Sequence, residues 1–474
     1  MSDVEALMWR LEVDPLLSST FANVSFLDRT PDRDRLRRRL WRATRLVPRL
    51  RRRIVDVPIG QAPYWEDDPA FDLDHHLRFR TLPTGSTEAD VHRIAVEIAA
   101  APFDRDRPVW EFTVLDGLPD GRAAMVQKIH HTITDGVGGI RMSVEFLDLE
   151  RDAPDPPPVD EGPPDHAPGP GSTPIDPSPT WSQARDLVEA MARRGVDAAG
   201  SLASSVNDLL RDPAQLTDLL AGLPADTAAT FRSLNRQLAV LDGHRSPLWT
   251  ERSLDRNLQV FSVSLADVKE AGERLGASVN DVFVAAAAGG AGRYHRARGS
   301  EVDELRISMP VSTRTDRTSG GNSFTPTRVL VPVEAEPRDR IAGVHERLTV
   351  AKTERAMQLT SSVAGVANLL PRPLLVRLFR QQVTTVDFAA SNVRAAPFDL
   401  YLAGALLEHN YPIGPLGGTA WNITTMSYRG RLDIGIHSDA AAVEDPVALA
   451  ADVQTSFEEL LALGRTRRGR RVTG

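Results

Sequence analysis

Residues 152–180 constrain the fold of this 474-residue chain more than any other segment. The stretch DAPDPPPVDEGPPDHAPGPGSTPIDPSPT holds eleven prolines in 29 positions and almost no large apolar side chain. Because proline removes a backbone donor and the segment has little apolar surface to bury, it predicts an extended, flexible linker. A linker of this length separates the chain into two parts that bury their own cores.

The two parts have different patterns. Residues 1–151 mix helical and strand patterns, whereas the segment 181–240, interrupted at Pro213 and Pro224, predicts a helical connection. Residues 241–474 alternate between strand and helix patterns. Since a chain of this length exceeds the size at which one core keeps growing, we expect two lobes of mixed α/β structure.

Composition excludes several classes of protein. The absence of cysteine excludes disulfides, thiolate nucleophiles and cysteine-ligated metal sites, and the net charge of −8 argues against general nucleic-acid binding. The start, MSDVEALMWR, lacks the pattern of a signal peptide, and no apolar run approaches the roughly 20 residues of a membrane-spanning helix. We expect a cytoplasmic protein, with peripheral attachment to the inner membrane or to lipid inclusions as the alternative.

Arginine is concentrated in two places. Residues 29–53 contain twelve arginines, and the tail RTRRGRR at 465–471 contains five. One interpretation is a solvated helix face and a frayed end, because apolar residues of the first cluster recur near helical spacing, at Leu36, Leu40, Val47 and Leu50. The other is attraction to anionic lipid headgroups or to the phosphates of a cofactor.

The stretch KIHHTITDGVGG, at 128–139, combines two histidines, an aspartate and three glycines. Residues 121–129 predict a strand and residues 137–150 a helix, so the motif lies in the turn between them. A neutral imidazole is a suitable general base near neutral pH. A carboxylate four residues after His131 can hold the shape of the turn, and Gly136 allows backbone angles that other residues resist.

Other interpretations of this stretch remain open. A metal site could use His131 and Asp135, but neither an HExxH partner nor a second histidine cluster stands at ligand spacing. A purely structural polar turn is also compatible with the residues. The pair His75–His76 is a second histidine doublet without the Asp-Gly, and we expect it to be structural.

The C-terminal half carries clear local signals. Ser264 and Gly276 mark the two ends of a predicted helix, and the apolar segment 277–299 predicts a second, buried helix. Residues 421–439, WNITTMSYRGRLDIGIHSD, alternate around a glycine turn and predict a hairpin.

The motif HHTITDG matches the HHxxxDG signature of the CoA-dependent acyltransferases, which include chloramphenicol acetyltransferase and peptide-synthetase condensation domains. The chain more specifically resembles the bacterial wax ester synthase/diacylglycerol acyltransferases. Five further blocks occur in the family's order: RPVWE (107–111), GASVNDVFVAA (276–286), MPVSTR with GGN (309–314 and 320–322), SNV (391–393) and SYRGRLDIGIHSD (427–439). After SNV the family usually continues with Pro-Gly, whereas this chain has RAAPFDLYLAG, which implies a reshaped loop.

The resemblance implies an α/β (α+β) fold of two chloramphenicol-acetyltransferase-like lobes, with an active-site tunnel at their interface. It implies an O-acyltransferase that moves a fatty acyl group from acyl-CoA to diacylglycerol or a long-chain alcohol, without an acyl-enzyme. His131 would be the general base, and His130 would steer either His131 or the substrate. Asp135 would have a structural role, paired with Arg314 of the other lobe.

The remaining site residues implied by the resemblance fall into two groups. Gly136 belongs to the catalytic turn, and substrate binding or structural support is assigned to Trp110, Asn280, Asp281, Arg314, Asn322, Ser391 and Asn392. We expect no metal and no permanent cofactor, with acyl-CoA as co-substrate and a lipophilic alcohol or diacylglycerol as partner. The alternatives are a transferase that uses a carrier-protein thioester or a polyketide-like alcohol, and a catalytically weak lipid-binding protein.

Overall fold

The computed structural model describes residues 1–57, 63–134, 136–156, 243, 245–312, 324–334, 336–355 and 372–464. The predicted helices of 181–240, the basic tail and all but the start of the Pro-rich segment lie outside these residues.

Helices cover both halves of the described chain. They are α1 (Asp3–Leu11), α2 (Arg33–Leu46), α3 (Leu73–His76), α4 (Glu88–Ala100), α5 (Gly136–Ser143), α6 (Leu265–Leu275), α7 (Val279–Ala297), α8 (Pro337–Arg355), α9 (Arg372–Val383) and α10 (Pro446–Gly464). Short 3-10 turns occur at Pro15–Leu17, Pro48–Arg51 and Pro119–Gly121. No helix in this part of the chain is long and apolar enough to span a bilayer.

The strands form two large sheets and one small one. They are β1 (Thr20–Leu27), β2 (Arg52–Val55), β3 (Tyr64–Asp67), β4 (Leu77–Thr81), β5 (Trp110–Asp116), β6 (Ala123–His130), β7 (Arg256–Ser264), β8 (Glu304–Ser312), β9 (Phe324–Pro332), β10 (Phe388–Arg394), β11 (Tyr401–Leu402), β12 (Ala405–Ile413), β13 (Trp421–Tyr428) and β14 (Arg431–Asp439). The first sheet has the order β11-β12-β1-β6-β5-β4, and the second has the order β7-β14-β13-β10-β8-β9. Strands β2 and β3 pair separately.

Both large sheets mix parallel and antiparallel neighbours, since β4–β5 and β10–β13 are parallel and the hairpin β13–β14 is antiparallel. The second sheet packs against helices through one apolar cluster, and the first sheet through two clusters that also include Tyr428 and Leu258 of the second sheet. The predicted mixed α/β class with two lobes is confirmed. The predicted helix caps are also confirmed, because Ser264 Oγ accepts from Asp267 N and Gly276 ends α6 in the left-handed region with φ 66°.

The C-terminal segment contributes strands to both large sheets. Strands β11 and β12 lie within the predicted C-terminal segment, yet β12 pairs antiparallel with β1 of the first sheet, with Ala22 opposite Ile413. On its way β12 crosses β14 so closely that a Cβ on Gly435 would lie 1.8 Å from Pro412 O. Glycine is therefore required at position 435, and the two lobes are in close backbone contact at this crossing.

The arginine-rich helix α2 has a core-facing stripe, as one of the two interpretations predicts. Leu36 and Leu40 are fully buried. Arg35 and Arg39 both contact Asp148, and Arg37 pairs with Asp74. Because these arginines have carboxylate partners within the protein, the contacts favour the structural interpretation for this helix.

Candidate active site

The HHxxxDG turn lies between β6 and α5, as the sequence predicts. Strand β6 ends at His130, which is opposite Thr20 in β1, and α5 begins at Gly136. Within the turn, Ile133 N donates to His130 O at 3.0 Å. Asp135 lies outside the described residues, so its structural role remains a prediction.

His131 stands at the end of the first sheet and is partly exposed. Its backbone N donates to Ser19 O at 3.2 Å. Its ring lies 4.6 Å from the Phe21 ring, centroid to centroid, at 41°. The residue is therefore neither sealed in the core nor fully exposed to solvent, which is the environment that a general base for an apolar substrate needs.

His130 has the opposite environment, because its side chain is fully buried. Thr132 N donates to His130 Nδ1 at 3.1 Å, and Thr132 Oγ1 lies 2.7 Å from the same nitrogen. A backbone N–H can only donate, so Nδ1 is an acceptor and the ring proton is on Nε2. Nε2 then donates to Glu12 Oε2 at 3.1 Å.

Glu12 is a site residue that the sequence analysis missed. Burial raises the pKa of its carboxyl, but hydrogen bonds from His130, Ser18 and Ser19 outweigh burial and hold that pKa below its ordinary value. The carboxylate is therefore ionised beside the motif. Nothing local marks it in the sequence, because it stands 118 positions before His130 and meets it only through the fold.

Arg49, one of the arginines of the first cluster, also supports the turn. Its Nη1 donates to Thr132 O at 2.8 Å, to Ile133 O at 3.2 Å and to Glu5 Oε1 at 2.7 Å. Carbonyl groups that follow a strand lack a sheet partner, so the guanidinium satisfies them. The arginine density of the region concealed this residue from sequence reasoning.

Lys128 is buried on the same strand as His130. Burial lowers its pKa to about 8. Its Nζ donates to Ala101 O at 2.7 Å and lies 4.0 Å from the centroid of Phe103. Lys128 is therefore a packed, buried cation on the strand that leads into the motif.

The second lobe approaches the turn through β10. Helix α5 contacts this strand, which carries Ser391 and Asn392, both partly buried. Asn392 Oδ1 accepts from Thr425 Oγ1 of the neighbouring strand at 3.1 Å. The fold thus brings the block SNV beside the helix that follows HHxxxDG, although the two are more than 240 residues apart in sequence.

Asn280 and Asp281 lie in the first turn of α7. Asp281 forms a capping box with Ser278 and accepts from His345 Nδ1 at 2.8 Å. Burial acts to raise the pKa of Asp281, but the hydrogen bonds from His345 and Ser278 outweigh it and hold that pKa below its ordinary value. Asn280 Nδ2 lies 3.7 Å from Met309 Sδ on β8, the strand beside β10. These contacts order the start of the helix, one of the two roles considered for the pair.

Trp110 belongs to the core of the first lobe. It is fully buried, its Nε1 donates to Leu50 O at 2.9 Å, and its ring stacks 4.6 Å from the ring of His76. His76 is held by a 2.7 Å hydrogen bond to Trp110 O, and burial lowers its pKa to about 4. These contacts are those of a residue packed in the core.

Two further residues of the predicted site share the situation of Asp135. Arg314 and Asn322 lie outside the described residues, so the pairing of Arg314 with Asp135 stays a prediction. Among the residues that are described, no group of three histidine or carboxylate side chains is arranged to hold a metal ion.

The segment after β10, where the chain departs from the family pattern, lines a surface cavity of about 390 Å³. Phe398, Asp399 and Tyr401 form one wall and Leu149 another. Phe398 is 52% exposed and Leu149 68% exposed, so the cavity is apolar and open. A second cavity of about 310 Å³ lies between α2 and the loop before α3. Neither cavity is lined by His131.

Comparison with known families matches most of the chain. The model of the wax ester synthase/diacylglycerol acyltransferase catalytic domain matches residues 1–283, and that of the WS/DGAT C-terminal domain matches residues 320–461. A Mycobacterium tuberculosis H37Rv protein provisionally named a diacylglycerol O-acyltransferase is 34% identical over 476 residues, spanning 98% of this chain and 92% of that protein.

Two solved structures share the fold over nearly the whole length. The wax ester synthase/diacylglycerol acyltransferase from Marinobacter aquaeolei VT8 aligns with a TM-score of 0.61 at 20% identity, covering 98% of this chain and 99% of that chain. The first condensation domain of the calcium-dependent antibiotic synthetase aligns with a TM-score of 0.58 at 14% identity, covering 98% and 95%. At these identities they establish the fold alone, and they confirm the predicted two-lobed acyltransferase architecture. The chain belongs to the wax ester synthase/diacylglycerol acyltransferase family of acyltransferases.

Proposed function

We propose that this protein transfers a fatty acyl group from acyl-CoA to the hydroxyl group of diacylglycerol or of a long-chain alcohol, with His131 as the general base. The observation that carries the proposal is the contrast within the histidine pair. The His130 side chain is fully buried and hydrogen-bonded on both ring nitrogens, whereas His131, the next residue, is partly exposed.

In the proposed reaction the acceptor oxygen attacks the thioester carbonyl while His131 accepts the hydroxyl proton. The tetrahedral intermediate collapses, the C–S bond breaks, and the imidazolium returns its proton to the departing CoA sulfur. A positioned base of this kind contributes roughly 10²–10⁴-fold in rate. Direct attack needs no acyl-enzyme, which agrees with the absence of cysteine and of a G-x-S-x-G elbow from the sequence.

The site is proposed to lie in a tunnel between the lobes. The contact between α5 and β10 supports this, because it joins the two halves beside the turn. In this proposal Asp135 holds the shape of the turn and pairs with Arg314, while Gly136 allows α5 to start directly behind the motif. Clefts between lobes are common sites for apolar substrates.

The acceptor is proposed to be lipophilic. Exposed apolar side chains at Leu149 and Phe398 support this, since they line an open cavity formed by the segment that follows SNV. A protein that takes its acceptor from a lipid phase would work at the surface of a membrane or of a lipid inclusion. Peripheral attachment of this kind is part of the proposal.

The test is mass spectrometry of the lipids formed by the purified protein. Acyl-CoA and an acyl-carrier protein are compared as donors, each with diacylglycerol, long-chain alcohols and short polar alcohols as acceptors. We expect an ester product, and release of free CoA, only when acyl-CoA and a lipophilic alcohol are both present. Transfer from the carrier protein alone would assign the chain to the alternative donor class. Binding of lipids without turnover would make it a lipid-binding protein.

A further inference from the structure

Helix α1 is connected to the catalytic turn at both of its ends, directly through Glu12 and indirectly through the contact of Glu5 with Arg49. We propose that Glu12, at the C-terminal end of this helix, is a positioning residue for His131 that acts through His130 and the segment 18–20. This inference rests on the proposed function of His131. The contact between Glu12 and His130 joins the start of the chain to the motif.

The first step of the argument is the environment of the Glu12 carboxylate. Its two oxygens accept from four donors, at distances of 2.6 to 3.3 Å: Ser18 Oγ, Ser19 N, Thr20 Oγ1 and His130 Nε2. A partly buried carboxylate with this many donors is fixed in position, since rotation would leave donors unsatisfied. Oε2 faces the two N–H groups of Ser19 and His130, and Oε1 faces the two hydroxyl groups.

The second step is the tautomer of His130. Thr132 N–H occupies Nδ1, so the remaining proton of the neutral ring is on Nε2, and Glu12 is its acceptor. The ring is therefore held from both sides. Because His130 immediately precedes His131, a fixed His130 ring and a fixed Thr132 amide confine the backbone on both sides of the base.

The third step is a second connection to His131. Ser19 N donates to Glu12 Oε2 at 2.8 Å, and Ser19 O accepts from His131 N at 3.2 Å. Glu12 thus fixes the peptide group to which His131 is tethered, as well as the ring that precedes it. In these contacts Glu12 reaches the base through neighbouring groups, so we assign it the role of a positioning group and not of a proton carrier.

Helix α1 is itself anchored at several other points. Glu5, in its first turn, accepts from the same Arg49 Nη1 that binds Thr132 O. Leu11 packs against Leu375 of α9, and Asp14 pairs with Arg380 of the same helix. The helix is therefore held by both halves of the chain and is a rigid support for Glu12.

The experiment compares two variants of nearly equal size. Glu12→Gln keeps an oxygen that accepts from the N–H groups of Ser19 and His130. Its NH2 group faces the hydroxyl groups of Ser18 and Thr20, whose oxygens can accept hydrogen bonds. Glu12→Met fills the same volume without an acceptor. We expect Glu12→Met to lower kcat by about 10²-fold with KM unchanged, and Glu12→Gln to stay within about threefold of the wild type. Asp14→Asn is the control for stability, because Asp14 is a nearby buried carboxylate that does not contact His130.

A double-mutant cycle tests whether Glu12 acts through His130. In a His130→Asn background, Glu12→Met should lower kcat by much less than in the wild type, because the ring is gone and only the connection through Ser19 remains. The proposal would be overturned if Glu12→Met lowered kcat by the same factor in both backgrounds. It would also be overturned if Glu12→Met and Glu12→Gln lowered kcat equally.

Selective ¹⁵N labelling of histidine gives a readout that does not need turnover. The His130 resonance, identified by its loss in His130→Asn, should report a neutral ring protonated on Nε2 in the wild type. A proton on Nδ1 would overturn the role of Glu12 even if acyl transfer is found. The expected tautomer without acyl transfer would leave the positioning intact and refute the proposed function instead.

Discussion

Replacing Gly435 by alanine tests the crossing of β12 over β14, on which the junction of the lobes depends. The new Cβ would lie 1.8 Å from Pro412 O, and the neighbour is a backbone carbonyl that cannot rotate away. An ordinary carbon–oxygen contact is about 3.3 Å. The two strands must therefore separate by about 1.5 Å at this point.

The free-energy cost of this separation depends on the other contacts between β12 and β14. Asn410 N of β12 donates to Asp433 Oδ2 of β14 at 2.8 Å, and Asp433 is fully buried. Overpacking costs about 1–3 kcal/mol, and a lost hydrogen bond to a charged group costs about 1.5–3 kcal/mol. We therefore expect Gly435→Ala to reduce the free energy of unfolding by about 4 kcal/mol.

Differential scanning calorimetry measures this effect. A loss of about 4 kcal/mol corresponds to a decrease in Tm of about 10 °C for a lobe of this size. Gly243→Ala is the matched control, because a Cβ there meets nothing within 4 Å, and it should change stability by less than about 0.5 kcal/mol. A Gly435→Ala protein that melts with the wild type would refute the close crossing of the two strands.

Three further predictions concern the site and its surroundings. Arg49→Met should lower kcat by about tenfold with little change in KM, because the carbonyls of the turn lose their donor; Arg45→Met should leave kcat within about twofold. The low pKa of Asp281 contributes stability that is present above its unfolded pKa of about 3.9 and is lost as the pH falls through the folded value. His345→Asn should therefore move acid unfolding, followed by circular dichroism, to higher pH, and an unchanged acid midpoint would contradict the role of this pair. Phe398→Ser should raise KM for a long-chain alcohol by at least about threefold and leave KM for acyl-CoA unchanged; equal effects on both substrates would exclude the cavity as an acceptor site.

Local structure could be predicted well from sequence, because its causes are local. The strand–turn–helix around His131 and the hairpin Trp421–Asp439 follow from alternation and from glycine at the turn. The cap pair Ser264 and Gly276 follows from side-chain and backbone preferences of single residues. Helix α5 ends at Ser143, whereas the sequence pattern predicted an end at residue 150. The ends of helices are poorly determined by sequence patterns.

Interactions between distant segments could not be predicted in this way. The sequence of residues 405–413 carries no information on a pairing partner, so the pairing of β12 with β1 was not foreseen. Glu12 resembles any acidic residue that follows a helix, and only the fold brings it to His130. Trp110 shows the reverse, because a residue of a family block is explained by core packing against His76.

The most direct test of the account is the rate of CoA release by a His131→Ala variant, measured with a thiol reagent in the presence of acyl-CoA and a long-chain alcohol. His75→Ala, which alters the other histidine doublet, serves as the control. The account predicts that His131→Ala folds with the Tm of the wild type and loses at least about 10²-fold in kcat, while His75→Ala keeps its activity. Turnover by His131→Ala at the wild-type rate would contradict the claim that this imidazole removes the acceptor proton.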